Sequence, residues 1–380
     1  MKKTFRVIAV LMLALAFFSC RPSVEVGNNA AKFLGEGKHA GQYWPTAEWR
    51  TCRPEEVGMS SQALRPVYTY AANPDINTQA LIIIRKGYII GEAYFRDFTR
   101  NTRHESFSVA KSFASALMGI AIDKGFIPGV DAKVNRYFPE WQGEEIPAAK
   151  KRMTIRHLLT MTSGLKWNEE DYYGDRSQND VYIMIEDSED YIQYVLNRPI
   201  IHEPGERWYY SSGDSMLLSG IIEKSTKMTA SRFAQSHLFA PLGLSEVIWL
   251  RDPAGHTITG WGIQATAREF AKFGYLYLKR GRWENQQIVS EAWIDESLRP
   301  VSDDITKYGY QWWLLPVLGG YETSIIPPKT FIAWGIYTQQ IFIIPEEDLV
   351  IVRLGNDANP YDDEWREVEF LTLVLNSLQD

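Results

Sequence analysis

The sequence predicts an α+β fold, a mixed α/β arrangement in which both ends of the chain build one antiparallel sheet, split by a mostly helical insertion and flanked by terminal helices. Three observations carry this. Two pairs of β-rich runs lie far apart in the chain, the stretches between them place apolar residues at helical spacing, and so does the C-terminal stretch.

In chain order, Ala80–Ile84 and Tyr88–Phe95 are joined by Arg85-Lys86-Gly87 and read as an antiparallel hairpin. Helical spacing follows over Ser108–Lys124, Ile155–Thr160, Ser188–Leu196, Ser215–Ser225, Thr229–Leu238 and Ala265–Leu278. Gln340–Ile344 and Leu349–Leu354 then flank Pro345-Glu346-Glu347-Asp348 as a second hairpin, and Asp362–Leu378 is again helical. The folded part is expected to start near Cys52, with the sheet in about 51–105 and 255–380 and the helical part in about 106–254. A site is expected in the cleft between them. No repeat or low-complexity tract interrupts this plan.

The chain has 380 residues, 45% of them hydrophobic, enough for a large core. Its 40 Lys and Arg stand against 47 Asp and Glu, for a net charge of -7, and no dense basic run offers a footprint for nucleic acid. Nucleic-acid binding is set aside. The 13 Trp and 20 Tyr are read mainly as core.

Lys2, Lys3 and Arg6 precede an apolar run from Val7 to Phe18, the layout of an export signal over residues 1–20 and too short to span a bilayer. Ser19-Cys20 closes the run like a bacterial lipoprotein cleavage site, so Cys20 is expected to be lipidated and the protein to reside in the periplasm or on a membrane. Bulky Phe17 and Phe18 depart from the usual pattern there. Residues 21–50 read as a tether or extended arm. With Cys20 acylated, only Cys52 remains, and no intrachain disulfide can form.

A serine followed three residues later by lysine on a helix puts both side chains on one face, where the amine can activate the hydroxyl. The chain has two such pairs, Ser108/Lys111 and Ser163/Lys166. Thr162-Ser163-Gly164-Leu165 reads as a turn that does not hold this spacing. Ser108 instead starts a helix continuing through Phe113, Ala114, Leu117, Met118 and Ala121. There, free N–H groups and the positive end of the helix dipole favour an oxyanion, and burial lowers the lysine pKa. The plainer alternative is a capping serine beside a lysine that snorkels to solvent.

Farther on, His202-Glu203-Pro204-Gly205-Glu206-Arg207-Trp208-Tyr209-Tyr210-Ser211-Ser212-Gly213-Asp214 leads through a Pro-Gly turn into another helix. Together with Met161-Thr162-Ser163-Gly164-Leu165, Trp167-Asn168-Glu169 and Thr266-Ala267-Arg268-Glu269, these segments resemble the class C β-lactamase-like serine hydrolases. The resemblance is nearest to the branch holding carboxylesterases and 6-aminohexanoate-oligomer hydrolases, and runs from about Cys52 to the C-terminus.

The resemblance implies a β-lactamase/transpeptidase-like fold, with Ser108 as nucleophile, Lys111 as its base partner and Tyr210 as the phenol relaying a proton to the leaving group. The family's Tyr-x-Asn stands here as Tyr210-Ser211-Ser212, so Ser212 becomes the expected substrate contact. The family's strand with a basic residue, any residue and glycine matches Ala333-Trp334-Gly335. Ile336 would then supply the second oxyanion N–H beside that of Ser108, with Trp334 and Gly335 lining the pocket. Ala333 removes the cation that would grip a β-lactam carboxylate, so esters and amides are expected over β-lactams. Tyr172 matches a loop that carries a substrate-contacting tyrosine in the amide-hydrolase branch. No metal or organic cofactor is implied.

Other readings are weaker. Gly260-Trp261-Gly262-Ile263-Gln264-Ala265 imitates a dinucleotide fingerprint but lacks the alternating strands and helices that motif needs. His157 reads as a satisfied core histidine, and Glu169-Glu170-Asp171 as a solvated loop rather than a glycosidase pair. A non-catalytic envelope peptide- or glycan-binding protein on the same fold is the alternative to an enzyme, motivated by Ala333 and Ser212.

Overall fold

The computed structural model describes residues 33–170, 175–315, 325–356 and 365–379. Helix α1 (Ser61–Ala71) leads into strands β1 (Thr78–Arg85) and β2 (Tyr88–Tyr94), the expected first hairpin. Its two-residue turn has Lys86 at φ 49° and Gly87 at φ 83°, the left-handed pair whose twist suits a tight hairpin. The chain continues through β3 (Arg103–Glu105) and helices α2 (Val109–Asp123), α3 (Ile155–Leu159), α4 (Asp180–Asp187), α5 (Tyr191–Leu196), α6 (Ser212–Thr226) and α7 (Ala230–Ala234). After β4 (Ile248–Trp249) and β5 (Ile263–Thr266) come α8 (Ala267–Leu278), a small hairpin of β6 (Arg282–Trp283) and β7 (Gln286–Gln287), and α9 (Glu291–Ser297). Strands β8 (Trp313–Leu314), β9 (Phe331–Gly335), β10 (Gln339–Ile344) and β11 (Leu349–Gly355) and helix α10 (Glu367–Leu375) complete the described chain.

The main sheet has the order β2-β1-β11-β10-β9-β8 with every pair antiparallel, so the two hairpins meet at its centre, where Thr78 faces Gly355 and Arg85 faces Leu349. Both faces are covered. Ile82, Ile84, Ile341, Ile343, Val350 and Val352 pack toward α2 and α8, while Leu81, Ile83, Phe342, Ile344 and Ile351 pack toward α1 and α10. Alternate residues of each strand thus serve two cores, which is why the strands read as nearly continuous apolar runs. Helix α8 lies close on the sheet at Gly274, where an added Cβ would meet Ile341 Cγ2 at 2.7 Å and Val350 Cγ1 at 2.8 Å. Arg268 on α8 also clamps Glu92 on β2 at 2.6 Å.

Several boundaries differ from expectation, two of them beside the sheet and the helix packed on it. Residues 33–50 lie against the sheet edge rather than forming a tether: Gly35 N donates to Ile90 O at 2.8 Å, and Trp49, 4% exposed, donates to Arg268 O at 3.0 Å. Scattered apolar residues dock here without the period that would reveal them in sequence. The helix expected from Ala265 starts at Ala267, because Ala265 and Thr266 pair with β3 and Thr266 then caps the helix.

Candidate active site

Helix α2 is buried from Val109 to Ala121, as expected of a helix apolar on nearly every face. Its N-terminus is pinned by Ser106, whose N–H donates to Ile263 O at 2.7 Å and whose Oγ accepts from Ile263 N at 3.1 Å. Phe107 follows at φ 43°, a left-handed conformation that costs a non-glycine residue roughly 1–3 kcal/mol. Its ring packs edge-on against Tyr337 at 5.0 Å. That turn delivers Ser108, partly exposed, at the helix entrance.

The Ser108 hydroxyl caps nothing, and the Lys111 amine does not snorkel. Lys111 is 1% exposed, and its Nζ lies 2.9 Å from Ser108 Oγ, 2.8 Å from Ser212 Oγ and 2.8 Å from Gly260 O. Burial lowers its pKa to about 8, an effect that the Glu169 charge opposes. The Tyr210 ring lies 4.7 Å from the same Nζ. Burial and the Glu169 charge push the Tyr210 phenol well above its ordinary value, while its hydrogen bond with Ser108 works in the other direction. The phenol is therefore neutral around pH 7 and can donate.

Tyr210 is held just before α6 by Tyr209 N donating to Met161 O at 2.9 Å and by Ser211, whose hydroxyl caps the helix by accepting from Asp214 N. Its ring stacks on Trp313 at 5.6 Å, and Trp208, Tyr308 and Trp313 pack against one another beside it. An aromatic wall thus borders Ser108.

Strand β9 closes the opposite side. An added Cβ on Gly335 would sit 2.6 Å from Ser106 O and 3.0 Å from Ser108 N, so only glycine lets this strand run against the Ser106–Ser108 turn. Ala333 is fully buried and faces the core shared with α2. Trp334 packs with the core on the other face of the sheet and meets the aromatic wall at Trp313, 5.9 Å away.

Two expectations need correction. Ser212 is not placed to contact substrate: it is 2% exposed, accepts from Lys111, and donates to Glu169 Oε1 at 2.5 Å. Glu169 is not part of a solvated loop: it is 6% exposed, and its Oε2 accepts from Ser212 N at 2.6 Å and Trp167 Nε1 at 2.7 Å. Buried polar groups need hydrogen-bond partners, and those of Glu169 come from Ser212 and Trp167 among the described residues, whereas neighbouring acidic residues in sequence suggested water. Gly260 was also missed, since it contributes only a carbonyl. The second serine pair is structural, with Ser163 Oγ donating to Asp214 Oδ1 at 2.7 Å. His157 Nδ1 accepts from Thr154 N at 3.1 Å and caps α3. Tyr172 and Cys20 lie outside the described residues.

The family model for Beta-lactamase matches residues 69–374. The 6-aminohexanoate-dimer hydrolase of Paenarthrobacter ureafaciens is 24% identical over 313 residues, covering 77% of this chain and 76% of its own. Among solved structures, a candidate 6-aminohexanoate-dimer hydrolase from Bacillus anthracis superposes with a TM-score of 0.65 at 19% identity, over 87% of this chain and 86% of that one. EstCE1, a hydrolase with promiscuous acyltransferase activity, superposes with a TM-score of 0.62 at 16% identity, over 84% and 98%. With the fold and the matched span in agreement, this chain belongs to the beta-lactamase family of serine hydrolases.

Proposed function

We propose that the protein is an exported serine hydrolase that cleaves an ester or amide through an acyl-enzyme on Ser108. The observation that carries this reading is the buried Lys111 amine 2.9 Å from a serine hydroxyl that caps nothing. Ser108 Oγ attacks the substrate carbonyl while its proton passes to the neutral Lys111 amine, and the Ser108 and Ile336 N–H groups receive the oxyanion. As the tetrahedral intermediate collapses, Tyr210 donates its proton to the leaving alcohol or amine and is reprotonated from Lys111. Water then attacks the ester, its proton returns through Tyr210 and Lys111 to Ser108, and the acid leaves.

Ala333 supports esters and amides as substrates. A β-lactam or D-alanyl peptide carries a carboxylate whose recognition needs a cation at this place on the strand. The export signal supports an envelope location with Cys20 acylated. Labelling of wild type but not Cys20→Ala by radioactive palmitate tests that part.

The test of the chemistry is the intact mass of the mature protein and its Ser108→Ala variant after a fluorophosphonate probe, with short-chain nitrophenyl ester turnover in parallel. One adduct and turnover that both vanish in the variant support the reading. Well-folded protein with neither would make it a binding protein.

A further inference from the structure

We infer that Glu169 is a positioning residue that aims the Lys111 lone pair at Ser108 by fixing the direction of the Ser212 hydroxyl. The inference deepens the proposed mechanism and rests on Lys111 being its base.

The argument is a count of donors and acceptors. A neutral lysine amine has two N–H bonds and one lone pair, and Lys111 Nζ has three close neighbours: Ser108 Oγ at 2.9 Å, Ser212 Oγ at 2.8 Å and Gly260 O at 2.8 Å. Gly260 O can only accept. Ser212 has a single hydroxyl hydrogen, and that hydrogen is given to Glu169 Oε1 at 2.5 Å, so toward Lys111 it too can only accept. The two N–H bonds therefore go to Gly260 and Ser212. What is left, the lone pair, faces Ser108, the one neighbour of the three free to donate into it.

Glu169 can set this direction because it has nothing to give. An ionised carboxylate is acceptor-only, and its other oxygen is fixed by Ser212 N at 2.6 Å and Trp167 Nε1 at 2.7 Å. Replacing it by glutamine keeps the shape and changes the logic. The amide oxygen must take the two N–H donors, which turns the NH2 group toward Ser212 Oγ. Ser212 then accepts from Gln, its hydrogen is released, and the nearest acceptor for it is the Lys111 lone pair. The base is blocked by its own neighbour.

The charged and titratable groups around Lys111 are Glu169 and Tyr210, with Asp214 and Tyr308 beyond them, both of which feel the Glu169 charge. In Glu169→Gln, loss of that charge and the new hydrogen bond to the lone pair both favour the neutral amine. The rising limb of the pH–rate profile therefore moves to lower pH while its plateau falls. Loss of fold alone would lower the plateau and leave the limb in place.

The experiment measures kcat, KM and the pH dependence of nitrophenyl ester turnover for wild type, Glu169→Gln, Ser212→Ala and the double variant, with thermal melts confirming folding. Glu169→Gln is expected to lose about 10–100-fold in kcat with KM within about twofold, and to show the shifted limb. Adding Ser212→Ala removes the intruding donor, so the double variant is expected to be about tenfold faster than Glu169→Gln alone. Wild-type kcat with an unmoved limb in Glu169→Gln overturns the inference, as does a double variant no faster than Glu169→Gln. These results leave the serine mechanism standing if wild-type turnover still depends on Ser108. Absence of Ser108-dependent turnover in wild type overturns both.

Discussion

Replacing Gly335 by alanine tests the proposed oxyanion site through space alone. Its φ of -122° is ordinary extended backbone, so alanine adds no conformational strain. The added Cβ would stand 2.6 Å from Ser106 O, 3.0 Å from Ser108 N and 3.2 Å from Phe107 Cβ. Relief toward ordinary contact needs a shift of roughly half an ångström or more, and the two nearest atoms are backbone, in a turn pinned by the Ser106–Ile263 pair. Strand β9 must therefore move away from the nucleophile turn and carry Ile336 N with it. Oxyanion donors act within about 2.7–3.1 Å, and losing one costs about 10²–10³-fold in kcat, or about 2.7–4 kcal/mol. We expect Gly335→Ala to lose that much in single-turnover acylation by a nitrophenyl ester while its melt stays cooperative. Gly274→Ala, crowded against the side chains of Ile341 and Val350 rather than against the Ser106–Ser108 turn, serves as the control and should lower the melting temperature with acylation intact at permissive temperature. Wild-type acylation in folded Gly335→Ala would refute the reasoning.

Three further predictions follow from single groups. Because burial brings Lys111 to about 8 and the proposed base is its neutral amine, kcat/KM should rise with pH through about 8, and Tyr210→Phe should lower the plateau by about 10²–10⁴-fold without moving that limb, as pH profiles of the two proteins will report. Asp214, fully buried and raised by that burial from 3.8 to about 7, holds in the folded state a proton that the unfolded chain releases. Its contribution is complete below about pH 4 and lost as pH rises through about 7, on the order of 4 kcal/mol at most. Asp214→Asn should therefore flatten the fall of melting temperature across that window and leave the rising activity limb in place. Finally, cephalosporin turnover should be far below ester turnover because Ala333 offers no cation, and efficient cephalosporin hydrolysis in a spectrophotometric assay would overturn that reading.

Much of the fold was legible because strand and helix leave different spacing in the chain. The β1–β2 hairpin shows itself through Lys86-Gly87 between apolar runs, and α2 through its stripe from Phe113 to Ala121. Ser108, Lys111 and Tyr210 were legible because their side chains define short motifs. Three things were not. Gly260 acts through a carbonyl, which leaves no trace in residue type. Ser212 was read as facing substrate because its turn toward Glu169 depends on a contact 43 positions away. Glu169 was read with Glu170 and Asp171 as solvated because local polarity is blind to the Trp167 and Ser212 donors that enclose it.

The pairing of β1 with β11 joins residues nearly three hundred positions apart at the centre of the sheet. Contacts of such separation form late, since loop closure must come before any reward from packing. During synthesis, strand β9 with Gly335 and Ile336 has no finished sheet to rest on until β10 and β11 have emerged. Ser108 and Lys111 share one helix, yet the lysine is held by Ser212 and Gly260, and the proposed second oxyanion donor arrives only with the last strands. Hydrolytic competence would thus come only once the C-terminal hairpin has docked, however early the helix carrying Ser108 forms.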